Sequence, residues 1–509
     1  MDKWTLRILL GIVLGVPVLV HLGYHAMETR QLKRALVDTV RVVLPAQRGK
    51  IVDADGLVVA RTDTLYSVHY DPMAMRDSVR WRAEVEGLAA GLDAMFPQED
   101  TSAGWLQAFV RGRREGRRYL KVAEGLTGEQ VDSIRELPLF NLHPTRDGGI
   151  IEVHPVRVRP FGSLAAGTIG SYQEESKTRT GLERWYDYEL YGRDGEKKIR
   201  KGRYDGRYVE KTDWVVPAFN GYDVQTTLCM REQAVADSIF RNAVHKHPEV
   251  EGGTIVVMSR SGAIRVMANL TRTEDGWHDA DNWAVGRIME PGRLADAMNY
   301  AALLSDGHIR SIEEAKASGT GAAHLVQRYY GENPVAYTDR IQSYLPDLDF
   351  DLGMAKNRLP APGTREWTGE TLSGLTAGEG LGITPLSLLT FFNAIANGGR
   401  MLQPYLVGKI VDGNGRCLLE HAPAVCGEIP AAVADSLGRW MELAVKNPGN
   451  ESLRQGVAGL SGACRDAATY VGYTPGYSIV CTLFLGGRKP PKGMLAVPEK
   501  TAVEVLNNL

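Results

Sequence analysis

The alternation of polar and apolar positions divides the chain into three stretches. An uninterrupted apolar run from Ile8 to Val20 follows Lys3 and Arg7. Leu22-Gly23-Tyr24 extend it beyond His21 to about 17 residues, the short end of a membrane span. From about Leu44 to Val215 the chain is polar, rich in arginine and broken into short elements. Here Ile51-Val52 and Leu57-Val58-Val59-Ala60 flank Asp55-Gly56, a pattern that predicts two short strands around a turn. Leu126-Thr127-Gly128-Glu129-Gln130-Val131 predicts a helix start: Thr127 caps the first turn, Gln130 returns the bond and Leu126 staples onto Val131. Val131, Ile134 and Leu137 then form one apolar stripe that Pro138 stops. From about Phe219 onward glycine and long apolar segments become more frequent. Gly253–Met258 and Ala263–Ala268 flank Ser259-Arg260-Ser261-Gly262 and predict a hairpin. Leu294–Leu304 and Pro385–Asn397 read as helices, the second stopped by Asn397-Gly398-Gly399. There is no internal repeat, and the order of elements is that of an α+β protein rather than of repeating βαβ units.

Composition narrows the class. With 44% hydrophobic and 24% charged residues among 509, the chain is neither disordered, collagen-like nor a multi-span membrane protein. Basic and acidic residues, 59 and 61, nearly cancel to a net charge of -2, so there is no overall electrostatic case for nucleic acid. No small-x-small cleavage site follows the N-terminal run, so residues 1–25 read as an uncleaved anchor rather than a cleaved signal. Such an anchor leaves the rest of the chain outside the cytoplasmic membrane. The five cysteines are too few and scattered for a disulfide scaffold or a zinc site, although the spacing of Cys417 and Cys426 permits a local bridge. His245-Lys246-His247 lacks a third ligand cue and reads as the exposed end of a helix. The run Arg111–Arg118 offers a contact for anionic lipid or a partner, but reads first as a solvated arginine loop. Nothing calls for a cofactor.

Several segments together resemble one family. Arg48-Gly49-x-Ile51-x-Asp53-x-x-Gly56-x-x-x-Ala60 is similar to the opening of the non-catalytic domain of class B penicillin-binding proteins. Thr168-Ile169-Gly170 and Gly181-Leu182-Glu183-x-x-Tyr186-Asp187-x-x-Leu190-x-Gly192 resemble later landmarks of that domain. Glu290-Pro291-Gly292 resembles the tripeptide leading into the catalytic helix. Gly380–Leu386, Asn393–Gly399 and Tyr470-Val471-Gly472-Tyr473-x-Pro475 resemble segments around the later active-site motifs. The resemblance covers nearly the whole chain in order. It implies an N-terminal transmembrane anchor (1–25), an elongated mixed pedestal of the dimerisation type (26–215), and a transpeptidase-like domain with an antiparallel sheet packed with helices (216–509). It also implies work in peptidoglycan synthesis beside a membrane glycan polymerase, at division or elongation.

The motifs that carry the family's chemistry are another matter. Transpeptidation needs a serine nucleophile with a lysine one helical turn later, S-x-x-K. By resemblance Arg293 stands at the serine position and Asp296 at the lysine position. A guanidinium stays protonated and forms no acyl-enzyme. The counterpart of S-x-N is Ser318-Gly319-Thr320, and that of K-[ST]-G is Leu460-Ser461-Gly462, without its cation. Neither S-x-x-K nor K-[ST]-G occurs anywhere else in the chain. Loss of a serine-enzyme nucleophile costs on the order of a millionfold in turnover, so the reading is a non-catalytic scaffold or regulator. Two alternatives stay open: an acyl-transfer enzyme using Ser461 or Cys464, and a sensor that binds stem peptides without turning them over. Arg293 and Asp296, three apart on the expected helix, can face one another as an ion pair; two readings stay open, that the pair fills the vacated site or that the residues drifted neutrally after function was lost.

Overall fold

The computed structural model describes His21, Tyr24 and Met27, then residues 36–96, 104–141, 148–173, 176, 178–204, 207–317, 319–445 and 457–509. The expected anchor lies almost wholly outside these residues. Among the described residues no helix is long and apolar enough to cross a membrane. Packing separates two compact units: one holds the chain up to Leu57, Ser163–Ser171 and Arg179–Leu509, the other Val58–Gly162 and Tyr172–Thr178. A cut near residue 215 separates stretches of chain, whereas packing groups both ends of the pedestal stretch with the C-terminal sheet.

In the larger unit β1 (Leu36–Leu44) and β2 (Ile51–Val52) come first. Between β2 and Leu57, Asp53 organises the expected turn: its Oδ1 accepts the amides of Asp55 at 2.9 Å and Leu57 at 2.8 Å. The smaller unit then runs β3 (Val58–Tyr70), α1 (Ser78–Met95), α2 (Trp105–Arg114), β4 (Leu120–Leu126), α3 (Gly128–Arg135) and β5 (Gly149–Val158). β3 pairs antiparallel with both β4 and β5, and Trp81, Leu88, Leu92, Phe109, Val131 and Ile134 fill a core against it. The capping box is present: the Thr127 amide donates to Gln130 Oε1 at 2.9 Å, and Thr127 Oγ1 accepts the Gln130 amide at 3.4 Å. The helix stops at Arg135, so Leu137 falls beyond it. The arginine run is not the expected loop, since Arg111–Arg114 form the last turn of α2. Arg113 lies over the Trp81 ring at 4.6 Å and donates to Met75 O at 3.0 Å, while Arg111 and Arg117 both pair with Glu115 at 2.8 Å.

Back in the larger unit, β6 (Gly195–Tyr204) and β7 (Arg207–Val216) form an antiparallel hairpin with β1 beside β6. Arg48 is the node of this region. Its guanidinium is buried and donates to Glu183 Oε2 at 2.8 Å, Glu183 O at 2.8 Å and Asp187 Oδ1 at 2.7 Å. Gly49 follows because a Cβ there would stand 1.9 Å from Tyr222 O. The motif residues of this stretch are thus held by a buried ion cluster and a close backbone approach, which require these residue types for physical reasons.

The rest of the larger unit is built on a six-stranded antiparallel sheet. After β8 (Asp223–Thr226), which runs parallel to β2, come α4 (Met230–His245), β9 (Gly252–Ser259), β10 (Ile264–Thr273) and β11 (Gly276–His278). The expected hairpin is β9–β10, turning through Gly262 at φ +90°. Helices α5 (Ala295–Ser305), α6 (Ile312–Ala317) and α7 (Pro385–Ala396) follow, and then β12 (Ala458–Cys464), β13 (Ala467–Tyr473), β14 (Tyr477–Phe484) and α8 (Ala496–Asn508). The strand order is β11-β10-β9-β14-β13-β12, which leaves β12 at an edge. Phe240 and Val244 of α4 and Ala502 and Val505 of α8 cover one face of the sheet. Helix α7 covers the other, where Asn393 Nδ2 donates to Ser478 Oγ and to Ser259 O at 3.1 Å each. Both faces are covered, so β9 and β14 are buried at nearly every position rather than alternating. Thr384 caps α7 by accepting the Ser387 amide at 3.1 Å, and Gly398 and Gly399 end it at φ +64° and +93°.

Candidate functional site

Glu290-Pro291-Gly292 joins three pieces of the larger unit. Just before it, Met289 and Ile383 exchange backbone hydrogen bonds at 2.8 and 2.9 Å. Gly292 has φ +54°, and a Cβ there would lie 2.5 Å from Ala463 O. Across the same contact a Cβ on Gly462 would lie 2.7 Å from Leu294 Cγ and 2.8 Å from Pro291 O. The turn is therefore seated directly on β12, and the first and third expected motif segments do meet. Glu290 locks the junction: it accepts the Gly380 amide at 3.0 Å and the Cys464 thiol at 3.3 Å, and pairs with Arg465 at 2.8 Å.

The side chains at the expected catalytic positions do not form a nucleophile and base. Gly292–Leu294 is a short 3₁₀ turn, and α5 begins only at Ala295. Arg293, on that turn, is exposed, whereas Asp296, in the first turn of α5, is half-buried. No direct ion pair joins them among the described residues, which corrects the expected pair. Arg293 turns to solvent while Asp296 is half-buried, so the two side chains do not close on one another. Burial pushes the Asp296 carboxyl up from its ordinary value, opposed by Arg293, Asn299 and Lys316. Asn299 is fixed in turn, accepting Tyr337 Oη at 2.7 Å and donating to Thr376 O at 2.8 Å.

Ser318 lies outside the described residues. Thr320 is half-buried just beyond α6. The structure adds a cation that sequence reading missed: Lys316, on α6, sits 5.4 Å over the Trp440 ring, which meets Tyr300 edge-on at 5.2 Å. Only its i–2 position relative to Ser318 could have pointed to it.

On β12, Leu460 and Ser461 are half-buried and Gly462 is buried against the turn. Ser461 Oγ donates to Glu499 Oε2 of α8 at 2.9 Å, so its hydroxyl is engaged by a carboxylate from a helix that no motif marks. Cys464 is pushed up to about 12 by burial first and then by Glu290 and Glu379, with Arg465 opposing. A thiol so protonated is a poor nucleophile at neutral pH. Cys417 and Cys426 are free thiols on strands that pair with different partners, so the bridge their spacing permits is not formed. His247 pairs with Glu249 at 3.1 Å beyond the end of α4.

The comparisons with known proteins fit this architecture. Residues 43–226 match the penicillin-binding protein dimerisation domain, and residues 335–475 match the penicillin-binding protein transpeptidase domain. The chain belongs to the class B penicillin-binding protein family. The transpeptidase match begins downstream of Arg293, Asp296 and Thr320. Among relatives of this penicillin-binding protein, the "probable peptidoglycan D,D-transpeptidase PenA" of Neisseria gonorrhoeae is 27% identical over 276 residues, 52% of this chain and 44% of that protein. Against that relative the match thus spans less than half of its length. The peptidoglycan D,D-transpeptidase FtsI of Escherichia coli K12 is 22% identical over 457 residues, 81% of this chain and 71% of that one. A chain from a peptidoglycan synthase complex that coordinates polymerization and crosslinking shares the fold at a TM-score of 0.68 and 16% identity, covering 98% of this chain and 97% of that one.

Proposed function

We propose that this chain is a non-catalytic penicillin-binding protein homologue that acts as a scaffold or regulator in peptidoglycan synthesis, at division or elongation. In this reading residues 1–25 are a single-pass anchor, 26–215 the pedestal and 216–509 a transpeptidase-like domain outside the cytoplasmic membrane. The observation that carries it is the pair Arg293 and Asp296 behind Glu290-Pro291-Gly292: an exposed guanidinium and a half-buried carboxylate where the family's chemistry needs a hydroxyl and an amine. Of the substitute nucleophiles, Cys464 does not favour an enzyme, since it is held protonated. A membrane glycan polymerase is the partner we infer, supported by the structural neighbour from a synthase complex. The retained junction of turn and edge strand also leaves stem-peptide binding without turnover as a role for the cleft.

The test is incubation of the full chain with a fluorescent penicillin, followed by denaturing electrophoresis. No covalent band is expected. A labelled band would overturn the reading, and the labelled peptide would name the nucleophile.

A further inference from the structure

The helix pair α1–α2 of the smaller unit leaves one of its seams open. Trp105 and Phe109 commit one side of α2 to that unit's core. Leu106, Val110 and Arg114 recur every four residues along another side, and they border a groove on either flank of the helix. Val110 is 48% exposed and Leu106 half-buried, so this second apolar ridge is not needed for the unit's own core. The groove between α1 and α2 has a volume of about 510 Å³, with Trp81 and Val85 buried in its floor. Five arginines and two glutamates line the two grooves, a surplus of three positive charges in a chain whose net charge is -2. These arginines are not all engaged within the fold. Arg113 reaches Ser78 Oγ at 3.2 Å, and Arg111 and Arg117 hold Glu115. Arg82 and Arg114 are exposed and have no carboxylate partner among the described residues.

We propose that the α1–α2 seam receives an acidic amphipathic helix of a partner protein, its apolar stripe laid along Leu106 and Val110 and its carboxylates set against Arg82 and Arg114. A helix laid between two others buries an apolar stripe, while charges on the rim select which helix it is. Arginine suits that rim, because its planar fork takes a carboxylate bidentately. The local surplus of positive charge favours an acidic occupant and repels a basic one. A second copy presenting the same face would set arginine against arginine. A lipid surface would meet the rim but not Trp81 and Val85, which lie buried below it. The inference does not depend on the loss of acylation, since the seam lies wholly in the smaller unit and residues 293–296 belong to the larger one.

The full chain, held in uncharged detergent micelles, is titrated with a fluorescent synthetic helix of about five turns that carries leucines on one face and glutamates on the other, and anisotropy is followed. Saturable binding that weakens in high salt is expected, and no binding when lysines replace the glutamates. Arg82→Glu/Arg114→Glu should weaken the affinity by at least about tenfold, and Val110→Gln by about fivefold. All three side chains are exposed, so both variants should keep the wild-type unfolding midpoint. No saturable binding, or binding that neither variant weakens, overturns the proposal. Weakening by the arginine variant alone overturns it too, since charge would then attract the helix without seating it in the seam. Vesicles containing phosphatidylglycerol that displace the peptide, and that bind the wild type but not Arg82→Glu/Arg114→Glu, overturn it in favour of lipid.

Discussion

Glu290 governs more of the cleft's chemistry than the residues at the expected catalytic positions. Its carboxylate accepts the Cys464 thiol and pairs with Arg465, with 10% of its side chain exposed. A carboxylate beside a thiol stabilises the protonated form and repels the thiolate, so both effects raise the thiol's pKa. Cys464 should therefore resist alkylation at about pH 9, where an ordinary thiol is largely ionised. Cys417, exposed on its strand, should react readily under the same conditions. Because the folded thiol is held up to about 12, its contribution to stability is complete below the unfolded thiol's pKa and is lost as pH rises towards the folded one. Glu290→Gln removes the acceptor's charge, and Arg465, released from its partner, then favours the thiolate. The iodoacetamide rate at Cys464, read by peptide mapping, should rise by about tenfold, the equivalent of one pKa unit. An unchanged rate would mean that burial alone sets the thiol, and that Glu290 does not control it.

Among the elements, the contact between β12 and the turn before α5 decides whether the cleft keeps its shape. Gly462→Ala places a methyl 2.7 Å from Leu294 Cγ and 2.8 Å from Pro291 O. The leucine can shift but the backbone oxygen cannot, so the variant should lose about 1–3 kcal/mol of stability in a denaturant titration. Gly476→Ala, with open space around its Cβ, should stay within about 0.5 kcal/mol. If the two variants unfolded alike, the turn would not be seated as tightly as these distances require. Features with a local cause were legible in the sequence: the Thr127 capping box, the hairpin around Gly262 and the stop after Ala396 each depend on neighbours a few residues away. What depended on distant contacts was not legible. The position of β12 at an edge, the hold of Glu499 on Ser461 and Lys316 over Trp440 join residues far apart in the chain. The unformed Arg293–Asp296 pair belongs with these, because the exposure of one side chain and the partial burial of the other are set by packing rather than by their spacing.

For the molecule as a whole, the junctions that hold the family's architecture persist around the side chains proposed to have lost its chemistry. The buried Arg48 cluster, the seat of Gly292 on β12 and the packing of α7 under the sheet are all in place. If the loss is confined to side chains, restoring them should restore acylation. In Arg293→Ser/Asp296→Lys the new amine would occupy a half-buried position near Lys316, whose charge already acts on residue 296. Burial and that neighbouring cation both disfavour an ammonium, which moves the amine towards the neutral base that nucleophilic catalysis needs. The double variant should therefore acquire a covalent fluorescent-penicillin band that maps to the peptide containing position 293. Labelling should remain slow, because Leu460 offers nothing to a substrate carboxylate. Adding Leu460→Lys supplies a charge-assisted hydrogen bond of about 1.5–3 kcal/mol, and labelling should accelerate by roughly ten- to a hundredfold. A folded triple variant that takes no label would show that the backbone around the turn has closed the cleft itself, so that the seat of Gly292 on β12 preserves a fold and not a site.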